Sequence, residues 1–195
     1  MRALIAAADV RAAAGIAVIL AKENFISDTT DLGEDGLQMA KAYDYDIILV
    51  DLMLPDIAGY KMLQRLRAAR VHTPILILSC LAEPDQKVKF LRSGADDFLT
   101  KPFDDHELTA RTEAIVRRSR GHSEPTIRTG RLAVNLATRV ASVDDQPVRL
   151  TPREYCILEF LSLRKGTILT KEVFLNHLYG GRDEPDSKKI GRAHV

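Results

Sequence analysis

Five segments of nearly continuous apolar sequence, at 3–6, 25–29, 47–51, 74–79 and 97–100, punctuate the first half of the chain. Between and after them lie helix-like stretches at about 10–22, 36–43, 59–69, 84–93 and 104–118. A strand that is apolar along its whole length is buried on both faces of a parallel sheet. Strands alternating with helices of this length connect by right-handed crossovers. The pattern therefore predicts an α/β fold, a five-stranded doubly wound parallel sheet. Turn residues agree with it: Gly36 and Gly59 open helix-like stretches, Gly94 ends one, and Pro74 precedes Ile75-Leu76-Ile77-Leu78. The last stretch places Leu108, Ile115 and Val116 among charges, as an amphipathic helix does.

The pattern changes after residue 118. Ser119 to Pro125 is polar, contains Gly and Pro and has no apolar period, so a linker is expected at 119–125 between a first domain at 1–118 and a second at 126–195. Arg131-Leu132-Ala133-Val134 and Val140-Ala141-Ser142-Val143 flank turn-forming Asn135 and Asp144-Asp145, which predicts a small antiparallel sheet. Thr151-Pro152-Arg153-Glu154 combines a Thr N-cap, Pro at the first helical position and Glu at the third. A second helix is expected after Thr170, ending at Gly180-Gly181. Sheet, helix, turn and helix form the front of a winged helix-turn-helix domain. The expectation is an incomplete one, cut before or within its recognition helix, with Lys188 and Lys189 as the candidate DNA contacts. The final Ile190-Gly191-Arg192-Ala193-His194-Val195 also matches what a common sequencing adapter encodes in one frame, so a reading frame running into adapter is expected there.

Charge sharpens the division. Up to Arg117 there are 14 basic and 18 acidic residues and beyond it 14 and 9, so the halves carry about −4 and +5 within a net charge of +1. An acidic module is followed by one suited to a polyanion. Cys80 and Cys156 fall in different domains inside apolar stretches, which predicts buried thiols rather than a disulfide. No Cys or His spacing suits a metal, and no apolar run approaches the roughly 18 residues of a membrane span. A cytoplasmic protein with no membrane contact is expected.

The first polar residue after a buried parallel strand emerges at the sheet's carboxyl edge, where ligand sites of open α/β sheets lie. Asp51 ends one such segment, Ser79 another, and Lys101-Pro102 follows a third. Alone, an Asp there is usually a helix cap, a Lys a solvated residue and a Ser a turn former. Together at three strand ends they suit phosphoryl transfer to a carboxylate, with a lysine opposing the developing charge and a hydroxyl reaching a phosphate oxygen. An aspartyl phosphohydrolase would place a second Asp two residues after the nucleophile, where this chain has Met53. Gly-rich phosphate loops, nucleophile elbows and metal-binding His pairs are also missing from the sequence. An enzyme is therefore not expected.

Asp51 with Pro55-Asp56 and Gly59, Ser79, Gly94-Ala95-Asp96-Asp97 and Lys101-Pro102-Phe103 resemble the receiver domain of bacterial response regulators, over residues 1 to about 118. Leu150 to Tyr155 and Leu169 to Glu172 resemble the winged helix of the OmpR subfamily. Residues 43–49, 73–79, 117–119 and 174–181 narrow the likeness to its cell-cycle regulators. The resemblance implies a two-component transcription factor in a phosphorelay, in which a histidine kinase or phosphotransfer protein phosphorylates Asp51. Ser79 and the aromatic Phe98 then rearrange, and the protein acts as a homodimer on promoter DNA. Asp96, Asp97, Lys87 and Arg111, from helix four through helix five, make a candidate dimer face, although charged residues there are usually solvated surface. The resemblance also implies a cis Lys101-Pro102 peptide, and Mg²⁺ held by Asp51, the Met53 backbone carbonyl and two adjacent acids. Those acids belong at positions 7 and 8, where this chain has Ala7 and Ala8. Only Asp9 remains nearby, so weakened Mg²⁺ binding is expected. The competing expectation is a phosphorylation-impaired receiver acting through protein contacts alone.

Overall fold

A computed structural model describes residues 1–80 and 84–179 of the 195-residue chain. Its first part is β1 (Arg2–Ala6), α1 (Val10–Lys22), β2 (Ile26–Thr30), α2 (Gly33–Ala42), β3 (Ile47–Asp51), α3 (Gly59–Ala68), β4 (Ile75–Ser79), α4 (Pro84–Arg92), β5 (Asp97–Thr100) and α5 (Asp105–Ser119). The five strands are parallel, in the order β2-β1-β3-β4-β5. Side chains of a strand alternate between faces, and each face has its own core. Ile5, Leu49, Leu76, Leu78 and Leu99 meet Ile16 and Leu20 of α1 and Leu108, Ile115 and Val116 of α5. On the other face Leu4, Ile48, Val50, Ile77 and Phe98 meet Leu37 of α2, Met62, Leu63 and Leu66 of α3, and Phe90 of α4. Burying each such side chain contributes roughly 1.5–3 kcal/mol, which explains why apolar runs without polar interruption were needed in the central strands.

One helix starts earlier than the sequence pattern indicates. α2 begins at Gly33 rather than Gly36, because its first amides are satisfied from outside the helix. The Asp56 carboxylate accepts from the N–H groups of Gly33 and Glu34, both at 2.8 Å, while the N-cap Leu32 supplies no side chain. Those hydrogen bonds, the Glu34 amide foremost, hold the Asp56 carboxyl below its ordinary pKa. They also pin the loop that follows Asp51.

The second part is an antiparallel sheet of β6 (Thr126–Thr129), β7 (Leu132–Asn135), β8 (Val140–Val143) and β9 (Gln146–Val148), then α6 (Pro152–Leu163) and α7 (Lys171–Tyr179). Thr151 and Glu154 form the full reciprocal capping box at the start of α6. The Tyr155 hydroxyl donates to the Asn135 carbonyl at 3.1 Å, tying α6 to the sheet, and Phe160 meets Phe174 of α7 edge-on at 6.1 Å. The expected stop of α7 at Gly180-Gly181, Lys188, Lys189 and the final six residues lie outside the described residues. Both cysteines are free, but Cys80 is exposed rather than buried, lying just past the end of β4 at Ser79; Cys156 is half-buried. Among the described residues no helix is long and apolar enough to cross a membrane.

Candidate phosphoacceptor site

Three adjacent strands deliver the site at the carboxyl edge of the sheet. Asp51 is the last residue of β3, Ser79 the last of β4, and Lys101 follows β5. Because β4 lies between the other two, the lysine reaches across its end, and Lys101 Nζ donates to Asp51 Oδ2 at 2.5 Å. The Lys101 N–H donates to the Ser79 carbonyl at 2.8 Å, and the Lys101-Pro102 peptide is cis. The other carboxylate oxygen, Oδ1, accepts from the Met53 N–H at 3.2 Å. The side chains of Lys101 and Asp51 keep 19% and 13% of their surface exposed, so the pair is sheltered but not sealed off. Ser79 is buried beside it.

Gly59 fixes the approach of α3. A Cβ there would overlap the carbonyl oxygen of Asp51, so only glycine lets the helix begin directly against the strand end. Its N–H donates to the Leu52 carbonyl at 3.0 Å, closing the loop. Phe98 lies inward, stacked on Phe90 with centroids 6.0 Å apart and ring planes 8° apart, and Phe90 in turn contacts Tyr60 at 5.8 Å. Asp96 and Asp97 are engaged within the chain. Asp96 pairs with Arg67 at 2.9 Å and accepts from the Ile75 N–H, while Asp97 pairs with Arg111 at 2.8 Å.

The metal ligands are a different matter. Ala7 is buried and Ala8 exposed, and neither carries a side-chain oxygen. Asp9 is the N-cap of α1, where its carboxylate accepts from the N–H groups of Arg11 at 2.9 Å and Ala12 at 3.2 Å. It serves the helix rather than the pocket. Mg²⁺ demands near-octahedral oxygen coordination, and among the described residues the carboxylate at the pocket, Asp51, already carries an ammonium. Among the described residues no cluster of three His, Cys, Asp or Glu side chains could hold a metal ion. The described residues do not fit a Mg²⁺ site.

Residues 3–113 match the family model of the response regulator receiver domain, and 145–193 that of the transcriptional regulatory protein C-terminal domain. This chain belongs to the response regulators. Relatives of this response regulator include the cell cycle response regulators CtrA of Brucella anthropi and Brucella ovis. Each is 56% identical over 190 residues, spanning 97% of this chain and 82% of the relative. Among solved structures, the Francisella response regulator 1452 receiver domain superposes with a TM-score of 0.59 at 32% identity, covering 60% of this chain and 98% of that one. DrrB of Thermotoga maritima, an OmpR/PhoB homologue, covers 97% of this chain and 83% of its own with a TM-score of 0.55. At 24% identity it speaks for the fold alone. A DNA-binding C-terminal domain disfavours the expectation of a receiver acting only through protein contacts.

The sequence brought Asp51, Ser79 and Lys101 to one edge, and the structure places them there together. The sequence did not show the cap by Asp56 or the Phe90 and Tyr60 rings that back Phe98. The Asp56 partner is an amide more than twenty residues away, and no local spacing encodes such a contact.

Proposed function

We propose that this response regulator is a cell-cycle transcription factor of a phosphorelay, with Asp51 as its phosphoacceptor. The observation that carries the reading is the Lys101 ammonium lying 2.5 Å from the Asp51 carboxylate at the carboxyl edge of the sheet. A histidine kinase or phosphotransfer protein is the donor. One Asp51 oxygen forms a bond to phosphorus as the donor's P–N bond breaks, and the imidazole leaves with its electron pair. Lys101 opposes the charge gathering on the phosphoryl oxygens, and Ser79 takes one of them as a hydrogen-bond acceptor. Phe98, with no hydroxyl to carry outward, answers through its stacking on Phe90. The chain is a regulator rather than an enzyme.

Receiver domains in general use Mg²⁺ at this site; here Asp9, the nearest remaining acid, is engaged as the cap of α1, and Asp51 and the Met53 carbonyl lack the acidic pair, so acceptance of the phosphoryl group is slow. Residues 1–118 form the receiver, 119–125 the linker and 126–195 the DNA-binding domain. Lys188 and Lys189 contact phosphates, and the protein acts in the cytoplasm as a homodimer on promoter DNA. Phosphate contacts make such binding steeply salt-dependent. Fluorescence anisotropy on a promoter fragment tests the reading. Affinity falling steeply between low and moderate salt is expected, and no binding at any salt concentration overturns it.

A further inference from the structure

A second charged cluster lies at the other end of the sheet. Asp46 precedes β3, is 3% exposed, and accepts from the Arg2 N–H at 2.8 Å. The same carboxylate binds Arg120, just past α5, at 2.9 Å, and pairs closely with Arg164 at the end of α6. Arg164 is held by its own domain, its guanidinium 3.8 Å above the Phe160 ring and one nitrogen directed at the Phe160 carbonyl. Burial alone would raise the Asp46 carboxyl, but Arg164, the N-terminal ammonium, the Arg2 amide and Arg120 outweigh it and hold it ionised. Apolar contact surrounds the cluster: Ile127 and Leu163 of the second domain share one buried core with Met1, Phe25 and Val116 of the first. Arg139 and Glu23 form another ion pair across the boundary at 3.2 Å.

We propose that Asp46 latches the DNA-binding domain onto the amino edge of the receiver sheet, through Arg164 of one domain and Arg120 of the linker. Two small domains joined by a short polar linker move relative to each other unless their interface forbids it. A buried ion pair adds little net stability over an apolar replacement, yet removing one partner strands a buried charge. Its value here is to specify a single docking geometry. The docked domain sits one strand length from Asp51, about 17 Å. The cavity between the domains, about 700 Å³ and lined by Tyr43, His72, Arg120, Arg164 and Glu172, lies at this end and not at the phosphoacceptor. A phosphodonor therefore reaches Asp51 while the domains remain docked.

Amide ¹⁵N relaxation of the whole chain gives the test, because it reports a rotational correlation time for each domain separately. The wild type is expected to show one shared value. Arg164→Gln is expected to give two values, with that of the receiver shortened by roughly a third as it tumbles free of its partner. Arg120→Gln, at a partly exposed position, changes the tumbling in the same direction by less and serves if the first variant misfolds. Two values already in the wild type, or one unchanged value in both variants, overturns the latch.

Discussion

Glu113 of α5 faces Glu23 and Glu159, with Arg139 and Arg117 as the nearby cations. Burial first, and then the two neighbouring carboxylates, push its pKa from 4.5 up to about 7. The folded chain therefore keeps a proton that the unfolded chain has released, and stability falls as pH rises from about 4.5 to about 7. Below that window the group contributes its full share, and above it the loss is complete and constant. At about 1.4 kcal/mol per unit, the shift sets a ceiling of about 3 kcal/mol. The side chain is only partly buried, and solvent screening reduces this to roughly 1–2 kcal/mol. Glu113→Gln keeps the shape of the neutral acid and removes the titration. Urea unfolding at a series of pH values from 5 to 8 should show the variant gaining on the wild type across that range and becoming the more stable by roughly 1–2 kcal/mol at pH 8. Two stability curves that stay parallel would refute the reasoning, since any constant difference between them would come from packing and not from a proton.

Gly59→Ala forces a Cβ into the Asp51 carbonyl and should lower stability by about 1–3 kcal/mol in the same urea assay, while displacing the Asp51 resonances in an NMR spectrum. An unchanged midpoint would show that α3 has room to move. Thr151→Ala removes the hydroxyl that accepts from the Glu154 amide, and should cost about 1 kcal/mol, read from the C-terminal domain by hydrogen exchange of the first turn of α6. Equal protection in both proteins would count against the cap. Titration with Mn²⁺ followed by calorimetry should give no saturable heat in the wild type and a saturable one in Ala7→Glu/Ala8→Asp; equal binding by the two proteins would contradict the account of the pocket.

Much of the receiver could be read from its apolar runs because β1, β3 and β4 are buried on both faces, a condition that leaves polar residues only at strand ends. The candidate site was legible for the same reason: Asp51, Ser79 and Lys101 are the residues that leave the core at the carboxyl edge. Contacts that join distant segments were not legible. The start of α2 depends on Asp56, and the docking of α6 on Asp46 with Arg164, a pair 118 positions apart. β9 carries no such signal, because Gln146, Pro147 and Val148 are all exposed and show no alternation. The place of Asp9 was equally hidden. An Asp ahead of a helix reads as a cap and an Asp beside a strand end reads as a ligand, and only its hydrogen bonds to Arg11 and Ala12 decide between them.

Asp51, proposed as the phosphoacceptor, has its lysine in place and lacks the acidic pair that would hold a metal. Incubating the wild type, Asp51→Asn and Ala7→Glu/Ala8→Asp with acetyl phosphate and Mg²⁺, then measuring the acyl phosphate by intact-protein mass spectrometry, tests it most directly. The predicted result is faint modification of the wild type, none of Asp51→Asn, and at least about tenfold more in Ala7→Glu/Ala8→Asp, as a bound metal contributes more than about 1.4 kcal/mol to the reaction. Equal modification of the wild type and Ala7→Glu/Ala8→Asp, or modification that survives Asp51→Asn, would contradict it.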